Sequence, residues 1–343
     1  MKKYVRYILV ISVIVAFGLA SLGSGSSSDS ETDSSKVGEI TTEEKTVAEK
    51  EDKTEAPEET SEEHTTTAAE KEVDSKSEYF VGETYSGDAV EITFLSSGDY
   101  IEENEFMQPE EGSKYVFMKF FCKNVSDDLD TTVGIYDFNG FADGYAVEQY
   151  YGADESLSAT LSPGRSCTGV IVLTVPVDAS EIELEYEVNL FTDEKIKFIY
   201  EGVKDSGIVP ENDTSASEDA YHVNDVIETD QMRITYLSCG EYVSDNMFIQ
   251  PDEGMKYIYL ELEFENISDS DQIVSSFYFN CYADGANCEQ EYATDTESLD
   301  STLSAGRKCK GKVVFEVPIS ASVIEVEYDL SVWVSKKVIF SYE

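Results

Sequence analysis

Apart from its many carboxylates, few residues in this chain are equipped for covalent or acid–base chemistry, and their spacing narrows what they can do. There are two histidines: His64 in a polar stretch, and His222, which falls opposite Phe80 in an internal repeat. A Ser-His-Asp or Cys-His nucleophile needs a positioned base, and a histidine zinc site needs several imidazoles; two unrelated histidines supply neither. The six cysteines all lie beyond Lys114 and none forms a C-x-x-C pair, which excludes zinc-ribbon and thioredoxin-type sites. Two carboxylates suffice for glycoside hydrolysis, but among so many acids no pair stands apart. No catalytic residue, cofactor site or metal site is expected.

Two weaker constellations remain. Asp127, Asp128 and Asp130, with Asp269 and Asp271 in the second repeat, offer oxygens for calcium. No Asp-x-Asp-x-Asp-Gly loop accompanies them, and Asn-x-Ser-Asp at a strand end serves to turn the chain, which is the preferred reading. Arg165 and Arg307 each follow a glycine at the start of a repeated strand. Such an arginine can clamp a partner's carboxylate; pairing with an acid of its own domain is the expectation.

The cysteines are better read as disulfides if the chain is exported. Cys122 and Cys167 are the only two of the first repeat and share inward parity, so they are expected to pair across two sheets. Cys239, Cys281, Cys288 and Cys309 in the second repeat allow three connectivities. Cys281 and Cys288 flank an Ala-Asp-Gly hairpin and suit a local bridge, which leaves Cys239 with Cys309.

Aromatic residues offer a contact surface instead of chemistry. Tyr115 and Phe117, Tyr257 and Tyr259, and Phe191 with its counterpart Trp333 sit on the parity of the charged strand face. Exposed Tyr and Trp beside polar groups are the raw material of protein or glycan contacts. Lys308, Lys310 and Lys312 stand where the first repeat has Ser166, Thr168 and Val170, an outward basic strip that only the second copy carries.

What positions these residues is a duplicated scaffold. Residues 160–176, TLSPGRSCTGVIVLTVP, return as residues 302–318, TLSAGRKCKGKVVFEVP. Setting Tyr79 against Tyr221 also aligns ITFLSSGDY with ITYLSCGEY and FMQPEEGSKY with FIQPDEGMKY. Roughly two aligned positions in five are identical, well beyond chance self-similarity. Within each copy the period is two: Ile182, Leu184 and Tyr186 alternate with Glu183, Glu185 and Glu187, and Ile324, Val326 and Tyr328 with Glu325, Glu327 and Asp329. One face is core and the other is wet. Short alternating runs separated by Gly, Asn and Asp, with no amphipathic helical repeat, predict an all-β chain of two tandem immunoglobulin-like antiparallel β-sandwiches. The expected boundaries are 79–202 and 221–343, with a polar linker at 203–220.

Ahead of the repeats, Lys2, Lys3 and Arg6 precede an apolar run from Tyr7 to Ala20. This is the layout of a secretion signal or signal anchor over residues 1–23, with the anchor favoured and everything after it exported. Residues 24–78 hold no Phe, Tyr or Trp and many Ser, Thr, Glu and Lys, so they read as a disordered acidic stalk. A formal charge of -47, from 71 acids against 24 Lys and Arg, repels nucleic acid and anionic lipid alike. Membrane contact is expected only through the N-terminal segment.

Several motifs recur in one order: YFVGE at 79–83, QPEEGSKY at 108–115, KNVS at 123–126, FNGFADG at 138–144, then TLSPGRSCTG at 160–169. This order resembles a family of exported immunoglobulin-like modules of unassigned function from Gram-positive bacteria, related to the fold of a secreted mycobacterial antigen. The resemblance covers both repeats and implies fold and location. Many such relatives carry a lipoprotein cysteine after the signal, which this chain lacks. The expected function is non-catalytic binding at the cell surface, with an unknown protein or a cell-wall glycan as partner.

Overall fold

A computed structural model describes residues 76–188, 194–212, 214–330 and 337–343. The first repeat opens with β1 (Glu78–Tyr79), β2 (Thr84–Ser86), β3 (Val90–Asp99), β4 (Ser113–Asn124) and β5 (Thr131–Gly134). It continues with β6 (Phe138–Ala142), β7 (Tyr145–Val147), β8 (Ser158–Leu161), β9 (Ser166–Pro176), β10 (Ile182–Glu187) and β11 (Lys195–Ile199). β3, β4 and β9 form one antiparallel sheet, and β11, β10, β6 and β7 form the facing one. Short β1 adds to β11 in parallel.

The second repeat supplies β13 (Val226–Glu228), β14 (Met232–Glu241) and β15 (Met255–Asn266), preceded by β12 (Lys204–Asp205) of the intervening segment. There follow β16 (Gln272–Val274), β17 (Phe279–Ala283), β18 (Ala286–Cys288), β19 (Ser301–Leu303), β20 (Lys308–Pro318), β21 (Ile324–Asp329) and β22 (Lys337–Ser341). The order β13-β14-β15-β20 repeats the first sheet, and β18, β17, β21 and β22 repeat the second. Each repeat is thus a two-sheet β-sandwich.

Alternation fills each sandwich from both sides. Ile92, Phe94, Val116, Met118 and Phe120 meet Phe138, Leu184 and Phe198 in the first core. Ile234, Ile258, Leu260, Leu262 and Phe264 meet Phe279, Val326 and Phe340 in the second. The β6–β7 and β17–β18 hairpins turn on Asp-Gly pairs, Asp143-Gly144 and Asp284-Gly285, all four at positive φ as a tight hairpin of this hand demands. Gly169 and Gly311, the glycines of the repeated strand, serve packing. A Cβ on Gly169 would lie 2.5 Å from the Leu157 backbone, and one on Gly311 2.5 Å from the Glu297 carbonyl oxygen.

The two sandwiches do not hang as separate beads. Ser166 of β9 bridges Ala286 of β18 in parallel, so the first sheet of one repeat runs on into the second sheet of the other. The segment expected as a loose linker is docked as well: β12 pairs with β3, and Asn212 accepts a hydrogen bond from Ser166. Among the described residues, no helix is long and apolar enough to cross a membrane. The signal or anchor and the acidic stalk lie outside the described residues.

Candidate interaction surface

Three places in this frame gather the residues singled out from the sequence. The first is the junction of the repeats. Arg165 reaches Glu325 at 2.5 Å and Glu327 at 3.2 Å, and its guanidinium lies 4.7 Å from the centre of the Tyr282 ring. Lys337 adds ion pairs to Asp130 at 3.0 Å and Glu327 at 3.2 Å, and both Lys337 and Glu327 bond the Ser162 hydroxyl. Tyr282 itself belongs to the core of the first sandwich, where its hydroxyl donates to the Thr160 carbonyl at 3.0 Å. Burial works against the Arg165 charge, yet Glu325 and Glu327 outweigh it and hold the guanidinium above its ordinary pKa.

Two expectations change here. Arg165 pairs with acids of the other repeat, not its own. Glu325 and Glu327, assigned by alternation to a wet face, are 1% and 2% exposed because the first sandwich lies over them. Alternation reports which residues share a face; it cannot report that a second domain covers that face.

The second place is a cleft repeated on the outward face of each first sheet. In the first sandwich it has a volume of about 490 Å³, lined by Tyr100, Phe117, Lys119, Glu155 and Val170 among others. In the second it is about 360 Å³ and lined by Tyr242, Glu261, Asp295, Glu297 and Lys312. Polar groups in both are already paired: Lys119 with Glu155 at 2.7 Å, Lys310 with Glu261 at 2.8 Å, and Tyr242 with Asp295 at 2.6 Å.

These clefts correct part of the expected contact surface. Tyr115 and Tyr257 are buried, because a loop closes over the face that alternation made outward. Tyr115 stacks on Tyr150 with centroids 4.4 Å apart and donates to the Met107 carbonyl; Tyr257 donates to the buried Glu291 at 3.2 Å. Phe117 and Tyr259 are half-buried. The basic strip is not a free cationic patch either. Lys308 pairs with Glu263 and Glu265, Lys310 with Glu261, and the Lys312 ammonium sits 4.0 Å from the centre of the Tyr259 ring. The cause is register: β20 faces β15 antiparallel, setting each outward lysine opposite an outward glutamate, with the next outward residue along β15, Tyr259, diagonal to Lys312. Phe191 and Trp333 lie outside the described residues.

The third place escaped the sequence reading. Tyr136 and Tyr151, 80% and 51% exposed, stack with centroids 6.1 Å apart. The second sandwich repeats the pair with Phe277 and Tyr292, 46% and 41% exposed and 5.3 Å apart. The strand-connecting loops 100–112 and 242–254 likewise each expose a phenylalanine, Phe106 at 94% and Phe248 at 59%. The repeat itself was the available signal: Tyr136 and Phe277 precede aligned Phe-Asn strands, and Tyr151 and Tyr292 follow aligned Glu-Gln pairs.

The remaining candidates take structural places. Cys122 and Cys167 face each other, not across sheets but on neighbouring strands of one sheet. All six cysteines are free thiols in the structure. Contact with Cys167, together with burial, pushes the Cys122 thiol well above its usual range. Cys281 and Cys288 are likewise cross-strand partners. Cys239 and Cys309 are not brought together: they lie opposite Leu260 and Phe264, separated by about 13 Å along β15. Asn124 and Asn266 staple the acidic turns, each side chain donating to two backbone carbonyls and accepting from a serine N–H two residues on. His222 pairs with Glu343 at 2.7 Å on the surface.

The model of a domain of unknown function, DUF4352, matches residues 79–196 and again 221–339. The chain belongs to that family. It carries the DUF4352 domain twice, and together the two matches cover more than half its length. No curated protein matches it. Among solved structures it is similar to a putative lipoprotein, YcdA, from Bacillus subtilis, at 15% identity and TM-score 0.30, over 34% of this chain and 38% of that one. An uncharacterized β-sandwich protein from Clostridium difficile is 12% identical, TM-score 0.26, over 38% of this chain and 98% of its own. The secreted protein MPT63 from Mycobacterium tuberculosis is 11% identical, TM-score 0.27, over 37% and 100%.

Proposed function

We propose that this tandem DUF4352 protein is an exported, non-catalytic binding protein that presents its two domains as one body outside the membrane. The observation that carries the reading is the doubled aromatic pair, Tyr136–Tyr151 and Phe277–Tyr292. Leaving four large rings in water is unfavourable by burial alone, and repetition at matching positions of both sandwiches is what a contact element would produce. Rings with a polar tip give much contact area for few frozen torsions, which favours them as anchors. Export is supported by the charge-then-apolar layout at the N-terminus.

The test compares capture from envelope extracts by the wild-type protein and by a variant carrying Tyr136→Ala, Tyr151→Ala, Phe277→Ala and Tyr292→Ala. A discrete captured protein lost in the variant, with its melting curve unchanged, supports the reading. Saturable calorimetric titration with cell-wall glycan fragments, lost in the same variant, makes the partner a glycan. Equal capture and titration by the variant would remove the aromatic pairs as the contact surface.

A further inference from the structure

The junction between the repeats is a heterologous contact: one end of the first sandwich against one face of the second. Because the sandwiches are copies, each surface has a twin on the other domain. The end that supplies Ser162, Arg165 and Asp130 recurs as Ser304, Arg307 and Asp271. The face that supplies Tyr282, Glu325, Glu327 and Lys337 recurs as Phe141, Glu183, Glu185 and Lys195. Among the described residues these twins do not meet each other or a matching surface. Ser304 and Arg307 are exposed, and no acid pairs with the Arg307 guanidinium among the described residues. On the matching face, the ion pairs of Glu183 and Glu185 among the described residues are with lysines of their own sheet, Lys197 and Lys195.

We propose that the Ser304–Arg307 end of one chain docks on the Glu183–Glu185 face of a second copy, repeating between molecules the contact made within each. The charge pattern is complementary in the same sense as the internal contact: a guanidinium over two glutamates two residues apart on one strand face, beside an aromatic ring. A heterologous contact leaves one free end and one free face on every open assembly, so the association propagates head to tail until the rotation closes a ring. Three replacements make it weaker than its template. Lys197 stands where the second sandwich has Ile339, Phe141 lacks the Tyr282 hydroxyl, and Lys308 replaces Ser166. The formal charge of -47 also opposes approach, but at physiological ionic strength it is screened beyond about 8 Å.

Sedimentation velocity on the full-length chain, kept in one detergent at physiological salt, tests this. The expected result is a weight-average mass that rises reversibly with concentration for the wild type and stays monomeric for Arg307→Glu and for Ser304→Trp, both on an exposed turn. A Glu185→Arg variant also fails to self-associate, but mixing it with Ser304→Trp restores a one-to-one dimer and nothing larger, since each then contributes one intact surface and the two altered surfaces do not complement each other. A wild-type chain that remains monomeric to the limit of solubility overturns the proposal, as does Arg307→Glu associating like the wild type. Loss of the four exposed rings leaves this association unchanged, so it stands or falls apart from the aromatic contact.

Discussion

Arg165 of the first sandwich and Glu325 of the second, 160 residues apart in the chain, meet at 2.5 Å in a site where the carboxylate is 1% exposed. The pair is the centre of a network that links Glu327, Lys337, Asp130 and Ser162, and Ser217 caps Glu325 from the intervening segment. Removing one partner of a buried pair leaves the other charge uncompensated, a loss of about 3–5 kcal/mol. Arg165→Met therefore uncouples the sandwiches. Calorimetry is expected to resolve one unfolding transition into two, with faster proteolysis in residues 203–220. A single transition at the wild-type temperature would show that the network does not join the domains.

The repeated glycines make a second prediction. Gly169→Ala and Gly311→Ala each force a methyl into backbone that has no flexible end to yield, at a cost of about 1–3 kcal/mol. Each variant should lower the urea midpoint of its own sandwich without moving that of the other once the junction is broken. Wild-type midpoints would mean that the crossing segment relaxes away.

Geometry also ranks the cysteines. Directly opposed positions on antiparallel strands bring Cα atoms to about 5.5 Å or closer, inside the range a disulfide needs. Mild oxidation followed by peptide mapping should give Cys122–Cys167 and Cys281–Cys288 bridges and no Cys239–Cys309 bridge. A recovered Cys239–Cys309 peptide would contradict the register of β14, β15 and β20.

Asp300 anchors the second sandwich through the N–H of Ser276 at 2.7 Å and the hydroxyls of Ser275, Ser276 and Ser298. Burial raises its pKa, but these donors together outweigh it and hold the carboxyl below its ordinary value of 3.8. A depressed carboxylate contributes stability above that ordinary value and loses it as pH falls through the folded-state value. Asp300→Ala should cost about 1 kcal/mol at neutral pH, a figure already reduced for its partial exposure. The gap between variant and wild type in thermal melts should narrow as pH drops below about 3.8. A gap that is constant with pH would assign the effect to packing instead of charge.

Much of the scaffold was legible in the chain alone. Two-residue alternation and the recurrence of residues 160–176 specify tandem sandwiches, because the pleat puts every second side chain in the core and a repeat must repeat its core. The inward parity of Cys122 and Cys167 was readable for the same reason, but their partner sheet was not, since parity names a face and not a neighbour. Tyr115 and Tyr257 were misplaced because residues outside their own strands, Met107 and Tyr150 for one and Glu291 for the other, close over a face that local pattern leaves open.

The sequence by itself determined the fold class, the duplication and the strongly acidic surface, all of which follow from local periodicity and composition. Only the tertiary structure decided which outward residues stay in water. Arg165 and Arg307 occupy the same motif and the same turn, yet one is locked among buried glutamates and the other is exposed. The difference arises because a heterologous contact between two copies uses each of its surfaces once and leaves the other pair unmatched.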